Sequence, residues 1–266
     1  MLKILFIGDI VGQIGRKTVA KILPELKKKE KIDLVIANAE NSAHGTGVTE
    51  KTIKELRKAG VDWLTSGDHA FDQIKQLAVY DQEPILRPAN WAKNVPGRGY
   101  TLIEMKKGKA LLINLIGRVF MSKNFACPFV KLEEILANFN LLSQKISAII
   151  IDIHAEATSE KISLLHFADG RVSAVLGTHT HIMTADARIT AQGTAYITDV
   201  GMVGASEECL GIAKEGVIKT FLTQIKQPHV IPKKGPVIFN AVLLTINPRT
   251  GQANKIEPII RTVNYN

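Results

Sequence analysis

Polar residues that can bind metal ions follow five apolar stretches of the sequence, each at the point where the stretch ends. The groups are Gly8-Asp9, Ala39-Glu40-Asn41, Gly67-Asp68-His69, His154-Ala155-Glu156 and Thr178-His179-Thr180-His181. Ligands of open α/β sheets bind outside the carboxyl ends of the strands, so these groups are expected to meet at one edge. An Asp after a strand is often a helix cap, but capping does not explain all five groups together.

The types of these side chains indicate which ions and which reaction the site serves. Imidazole and carboxylate ligands suit zinc, iron, manganese or nickel better than calcium. Their number exceeds the four ligands of one tetrahedral zinc ion, so two divalent cations that share a bridging carboxylate are expected. Two such ions clamp the attacking and leaving oxygens of a displacement at phosphorus and lower the pKa of a bound water. The sequence therefore predicts a hydrolase that acts on a phosphodiester or nucleotide substrate.

The stretches between these groups predict one α/β domain over residues 1–266. Apolar runs at residues 2–8, 33–37 and 61–65 read as strands, and helical periodicity covers residues 15–29 and 49–59. Pro24 predicts a kink or an early end of the first helix. This β-α-β-α-β opening implies a parallel sheet with right-handed crossovers. Further predicted elements are a hairpin of residues 100–105 and 110–116, a helix over 130–142, strands over 147–153, 172–177, 194–198 and 237–246, and a loop over 226–236.

Composition excludes several classes of protein. Of the 266 residues, 45% are hydrophobic and 22% are charged, which is typical of a globular protein and not of a disordered one. The first apolar run stops at Asp9 without a cleavage site, and no run approaches the roughly 20 residues of a membrane helix. Cys127 and Cys209 lack the spacing of a metal site or a disulfide framework. These observations predict a cytoplasmic protein with reduced thiols and no membrane partner.

The net charge of +9 is open to two interpretations. A basic field attracts anions, so phosphorylated or nucleic-acid substrates fit it. Runs of lysine such as residues 27–29 also occur on an ordinary solvated helix end.

Three short blocks, GDIVG (8–12), GDH (67–69) and GTHTH (177–181), resemble the calcineurin-like metallophosphoesterases. More closely, the order GDIVG, ANAENSAHGTG, TSGDHAFD, RPANW, DIHAEATSEK and GTHTHIMTAD, over residues 8–186, resembles the YmdB-like branch, and YITDVGMVG continues the likeness. The resemblance implies an α/β fold of mixed sheets, a β-sandwich flanked by helices. It also implies a phosphodiesterase, with 2′,3′- or 3′,5′-cyclic nucleotides as candidate substrates.

The resemblance assigns the metal ligands. It implies Asp9, Asn41 and His181 for the first metal, His154 and His179 for the second, and Glu40 as the bridge between them. Iron or manganese is expected first, with zinc as the alternative. Asp68 stands where the family usually has Asn, and it can still bind a metal through one oxygen. The added charge is expected to change the reaction rate and the metal preference more than the fold.

Three further residues, close to these ligands in the sequence, have expected roles in the reaction or in the support of the ligands. His69 resembles the family's general acid, which donates a proton to the leaving oxygen. His44, in a glycine-rich segment, is a candidate substrate-binding residue. Glu156 is expected to orient His154.

Two other functions compete with hydrolysis. GDIVGQIGRKT follows a strand as a phosphate-binding loop would, but Arg16 stands where the Walker lysine belongs, and Ile10 replaces the first glycine of a dinucleotide fingerprint. A non-enzymatic RNA-binding or regulatory scaffold fits the basic charge, but the sequence has neither an aromatic RNA-binding strand nor an arginine stripe. RNA and a second copy of the chain stay open as partners.

Overall fold

Strand β1 (Leu2–Ile7) is largely buried on both faces in the computed structural model, which describes residues 1–141 and 146–266. Successive side chains of a strand point to opposite faces. Leu2, Ile4 and Phe6 accordingly enter one core, whereas Leu5 and Ile7 enter another. The sheet that contains β1 is therefore covered on both sides.

Within the described residues this first sheet has seven strands, and one parallel part of it is the predicted opening of the chain. That part consists of β1, β3 (Leu34–Asn38) and β4 (Trp63–Thr65), connected through α1 (Gly12–Glu30) and α2 (Glu50–Ala59). The other strands are β2 (Asp9–Ile10), β11 (Met202–Ala205), β12 (Gly235–Ile246) and β13 (Ala253–Tyr265). β12 pairs antiparallel with β1, β11 and β13 and joins the chain's last strands to its first.

A second sheet, with six strands in the described part of the chain, packs face to face on the first. Its order is β5 (Tyr100–Met105), β6 (Gly108–Ile116), β7 (Ala148–His154), β8 (Ala174–Thr178), β10 (Ala195–Ile197) and β9 (Arg188–Ile189). β5 and β6 form the predicted antiparallel hairpin, and β6, β7 and β8 are parallel.

Helices cover the outer face of each sheet. α1 and α2 lie on the first sheet, and α4 (Pro128–Leu141) and α5 (Thr158–Ala168) lie on the second. Shorter elements are a 3₁₀ turn (Ile74–Gln76), α3 (Val79–Gln82) and α6 (Lys214–Thr223). The predicted sandwich of mixed sheets flanked by helices is confirmed. No helix in the two described ranges has both the length and the apolar character needed to cross a bilayer.

Of two predicted helices, one continues further than expected and the other is found where it was expected. The early end at Pro24 is wrong, because α1 continues to Glu30. Val19, Leu23 and Leu26 of α1 pack into the core, and this burial outweighs the roughly 3 kcal/mol cost of an internal proline. The helix predicted for residues 130–142 is confirmed as α4, and its predicted last residue, Leu142, lies outside the described residues.

Candidate metal centre

The carboxyl ends of five strands, three from the first sheet and two from the second, carry the predicted metal ligands to one place. Asp9 follows β1, Glu40 and Asn41 follow β3, Asp68 follows β4, His154 ends β7, and His179 and His181 follow β8. The register of β7 against β8 places His154 beside Thr178, immediately before His179. The parallel topology therefore gathers residues that are far apart in the sequence.

Four of these residues form a compact cluster. Glu40, Asp68, His154 and His179 each offer an atom within 4.8 Å of the others. His154 Nε2 lies 3.0 Å from Glu40 Oε1 and 3.3 Å from Asp68 Oδ1. His179 Nδ1 lies 3.0 Å from His154 Nε2. Two carboxylates and two imidazoles at these distances are a donor set that suits a divalent transition metal.

Asn41 and His181 form a second convergence of lone pairs. Asn41 Nδ2 donates to the carbonyl of Gly45 at 3.0 Å, which assigns Oδ1 as the atom that faces His181. His181 Nδ1 lies 3.0 Å from the carbonyl of Leu210 and must donate to it, so Nε2 of the neutral ring carries the lone pair. Asn41 Oδ1 and His181 Nε2 face each other at 3.2 Å. Two acceptors in this arrangement are suited to binding a shared cation.

Buried carboxylate oxygens at the centre have few donors. Asp9 Oδ1 has no hydrogen-bond partner among the described residues, and Asp68 Oδ1 has only its contact with His154 Nε2 at 3.3 Å. Asp9 is fully buried, and its other oxygen accepts from the backbone N–H of His179 at 3.2 Å. Burial, together with the carboxylates of Asp199 and Glu40, raises the pKa of Asp9 well above its usual range, against the lowering effect of His154. Such groups are usually paired or bound to a metal, so the site fits cations.

Gly67 leaves the room that this cluster needs. A Cβ atom at this position would lie 2.0 Å from Glu40 Oε2 and 2.3 Å from His154 Nε2. Any side chain on residue 67 would therefore displace two proposed ligands.

The imidazoles differ in protonation. Burial lowers the pKa of His154, but the carboxylates of Glu40 and Asp68 outweigh burial and raise it well above its usual range. Burial and the neighbouring His154 lower the pKa of His179 to about 4, and burial lowers that of His181. In the metal-free protein His154 is therefore an imidazolium between carboxylates, whereas His179 and His181 are neutral.

A buried hydrogen-bond network that the sequence did not predict lies beneath His154. His154 Nδ1 donates to Thr178 Oγ1 at 2.9 Å, and that hydroxyl donates to Asp152 Oδ1 at 2.7 Å. Thr65 and Asn38 donate to the other Asp152 oxygen at 2.5 and 3.1 Å. These contacts fix the ring so that Nε2 faces the cluster. The signal available in the sequence was the single charge in the apolar run SAIIIDI.

A second hub holds the turn that carries His179 and His181. Both histidines have left-handed backbone, with φ of 102° and 66°. Asp199 Oδ2 accepts from the backbone N–H of Thr180, between them, at 3.0 Å and from Lys161 Nζ at 2.8 Å. Lys161 and Asp199 are both fully buried. This ion pair anchors a turn whose backbone conformation is costly for residues other than glycine.

The residues predicted to assist the ligands lie in different places. His69 is beside the cluster, with Nδ1 2.7 Å from Asp72 Oδ2 and Nε2 4.0 Å from Asp68 Oδ2. Glu156 contacts His179 Nε2 at 3.2 Å, so its predicted contact with His154 is wrong: His154 is fully buried, whereas Glu156 is half exposed. His44 is exposed and lines a neighbouring cavity.

Comparison with known proteins gives consistent matches along nearly the whole chain. A family model described as YmdB-like protein matches residues 5–259. The chain is 42% identical over 260 residues to a Bacillus subtilis protein named 2′,3′-cyclic-nucleotide 2′-phosphodiesterase, covering 97% of each. It resembles the crystal structure of a novel phosphatase from Mycoplasma pneumoniae, with a TM-score of 0.92, 35% identity and coverage of 99% of this chain and 94% of that one. A hypothetical protein from Thermus thermophilus matches with a TM-score of 0.91 and 38% identity over 98% of this chain and 99% of that one.

Proposed function

This chain belongs to the YmdB-like family, and from that premise we propose that it is a metal-dependent phosphodiesterase that opens 2′,3′-cyclic nucleotides at the 2′ bond. The predicted reaction class, phosphoester hydrolysis by an enzyme, is confirmed by the relatives' names together with the buried Glu40, Asp68, His154 and His179 cluster. The observation that carries the proposal is the convergence of carboxylate, amide and imidazole atoms from both sheets at one strand edge.

We infer two divalent cations at this centre, iron or manganese in preference to zinc. The cluster of Glu40, Asp68, His154 and His179 would hold one of them, and Asn41 and His181, with Asp9, the other. Glu40 directly precedes Asn41 in the chain and lies 3.0 Å from His154 Nε2, which supports its role as the bridge. Such a pair supplies Lewis acidity and a water of lowered pKa.

Asp68 adds a formal negative charge to the cluster of Glu40, His154 and His179. Burial would raise the pKa of Asp68, but the neighbouring His154 holds it well below its usual range. The carboxylate is therefore ionised at neutral pH and can bind a cation through Oδ1, the oxygen that lies 3.3 Å from His154 Nε2.

The protein's own groups complete the reaction. Hydrolysis of a 2′,3′-cyclic phosphate forms one bond from water oxygen to phosphorus and breaks the bond from phosphorus to the 2′ oxygen. That oxygen leaves with a negative charge and needs a proton. His69 is one-third exposed, and its Nδ1 is held by Asp72. In its protonated form it can donate from Nε2 to the leaving oxygen.

The test is elemental analysis of the purified protein with a metal-supplemented panel of 2′,3′- and 3′,5′-cyclic nucleotides. We expect hydrolysis of the 2′,3′-cyclic compounds to the 3′-phosphates. Asp9→Asn and His179→Ala should abolish hydrolysis, while circular dichroism shows a folded chain. His166→Ala is the matched control, because His166 is exposed on α5 and belongs to neither group of proposed ligands.

Full activity of either ligand variant would refute the assigned site. Undiminished hydrolysis by a metal-stripped sample would refute metal dependence. If the wild-type protein hydrolysed no phosphodiester and His181→Ala left RNA binding intact, the chain would instead be a regulatory scaffold.

RNA is a possible substrate of the same reaction, because an RNA strand that ends in a 2′,3′-cyclic phosphate presents the same reactive group. The predicted homo-oligomer stays a prediction.

A further inference from the structure

A basic cavity of about 480 Å³ adjoins the proposed metal centre. Its lining comes from the start of α1, the turn after β3, the start of α2 and the loop before β12. The ionisable residues of the lining are Arg16, His44, Lys51, His229 and Lys233. No carboxylate belongs to the lining as far as residues 1–141 and 146–266 define it.

The cavity and the metal centre share a wall. The carbonyl of Asn41, a proposed ligand, accepts from the N–H of Gly12 at 2.9 Å, and its side chain donates to the carbonyl of Gly45 at 3.0 Å. Gly12 lines the cavity, and Gly45 directly follows His44, which also lines it. Backbone that lines the cavity is therefore hydrogen-bonded directly to a proposed metal ligand.

The far wall is fixed by packing. Ile231, from the loop before β12, lies so close to Gly12 and Gly45 that a Cβ atom on either would approach it to 2.6 or 3.0 Å. His229 and Lys233, two residues before and after Ile231, line the cavity together with Lys51 from the start of α2. Two separate segments of the chain thus contribute lysines to one cavity.

These charges are available to a ligand. Arg16 binds Glu55 at 2.7 Å and also donates to the carbonyl of Ser42, so it mainly shapes the wall. Lys51 and Lys233 are exposed, and neither takes part in an ion pair among the described residues. Lysine ammonium groups bind phosphate as point charges.

We propose that this cavity binds a second phosphate group of the substrate, the 5′-phosphate of the nucleotide whose cyclic phosphate is hydrolysed. This rests on the proposed function. The 5′-phosphate belongs either to a mononucleotide or to the backbone of an RNA strand. The site thus favours substrates that carry phosphate on both sides of the ribose.

The experiment compares three substrates of the metal-loaded protein: a nucleoside 2′,3′-cyclic phosphate, its 5′-phosphorylated form, and a dinucleotide that ends in the cyclic phosphate. We expect the second phosphate to lower KM about tenfold. Lys51→Ala/Lys233→Ala should remove this advantage. Lys58→Ala/Lys234→Ala is the matched control, since it removes the same charge from the same helix and loop outside the lining, and it should keep the advantage.

A lower KM for either substrate with a second phosphate supports the site. The compound whose KM is lower identifies the source of the phosphate. Equal KM values in the wild type, or a lower KM that persists in Lys51→Ala/Lys233→Ala, would overturn the proposed site. Calorimetry with nucleoside 3′-phosphate and 3′,5′-bisphosphate separates this result from the proposed function. If the bisphosphate binds more tightly but no cyclic phosphate is hydrolysed, the phosphate site is supported and the proposed reaction is rejected. If cyclic phosphates are hydrolysed without a lower KM for the 5′-phosphorylated substrates, the reaction is supported and the phosphate site is rejected.

Discussion

Lys161→Met should destabilise the protein far more than the loss of an exposed lysine, because it leaves a buried carboxylate without its cation. Lys161 and Asp199 are fully buried, and Nζ lies 2.8 Å from Oδ2. Removing one partner of a buried ion pair costs about 3–5 kcal/mol. Asp199 keeps two backbone donors, Thr180 and Gly201, at 3.0 and 2.8 Å, so the lower half of this range is expected.

Urea denaturation of the metal-free protein measures this loss. The control is Lys17→Met, which removes an exposed lysine of α1 and should change the free energy of unfolding by about 0.5 kcal/mol or less. Adding Asp199→Asn to Lys161→Met should cost less than the sum of the single changes, since the uncompensated charge is gone. Equal stability of Lys161→Met and Lys17→Met would refute the role of the pair.

Three other predictions concern the metal centre itself. Thr178→Val removes the acceptor of the His154 Nδ1–H and should weaken metal binding about 10- to 100-fold, measured by competition with a chelator; unchanged affinity would contradict this role. Metal binding should release at least one proton near neutral pH, because the raised pKa keeps His154 protonated until a metal displaces its Nε2 proton, and Asp9, whose pKa is also raised, can add to the release; calorimetric enthalpies that do not vary with the buffer would exclude this. Gly67→Ala should abolish metal binding by displacing Glu40 and His154, whereas Gly216→Ala, whose Cβ would meet its nearest atom at 3.5 Å, should not.

The sequence predicted best where local pattern and topology agree. Buried parallel strands appear as continuous apolar runs, and the polar residue after each run lies at the carboxyl edge whatever the details of packing. Asp9, Glu40 and His154 could therefore be placed near one another without a structure. The hairpin of β5 and β6 was predictable for a similar local reason, since residues 106–109 read as a turn.

Elements with weak patterns could not be predicted. β13 is mostly exposed and contains Pro258, which is tolerated because the strand pairs only with β12 in the described part of the sheet. α5 has its few buried residues among exposed apolar ones, so no clear stripe marks it. The Lys161 and Asp199 pair joins this unpredicted helix to a loop, and only the folded chain shows it.

In this protein of net charge +9, acidic metal ligands and a basic cavity lie side by side. The local charges of the two sites give each a different role in binding the substrate. The carboxylates of Asp9, Glu40 and Asp68 would repel a phosphodiester by themselves, so cations must occupy the centre before the reactive phosphate can bind there. A phosphate on the other side of the nucleotide meets no such carboxylates in the cavity of Lys51 and Lys233. The two ends of the substrate are therefore recognised by different means, one through bound metal and one through the chain's own cations. Added salt should accordingly weaken binding at the exposed cavity more than at the buried centre.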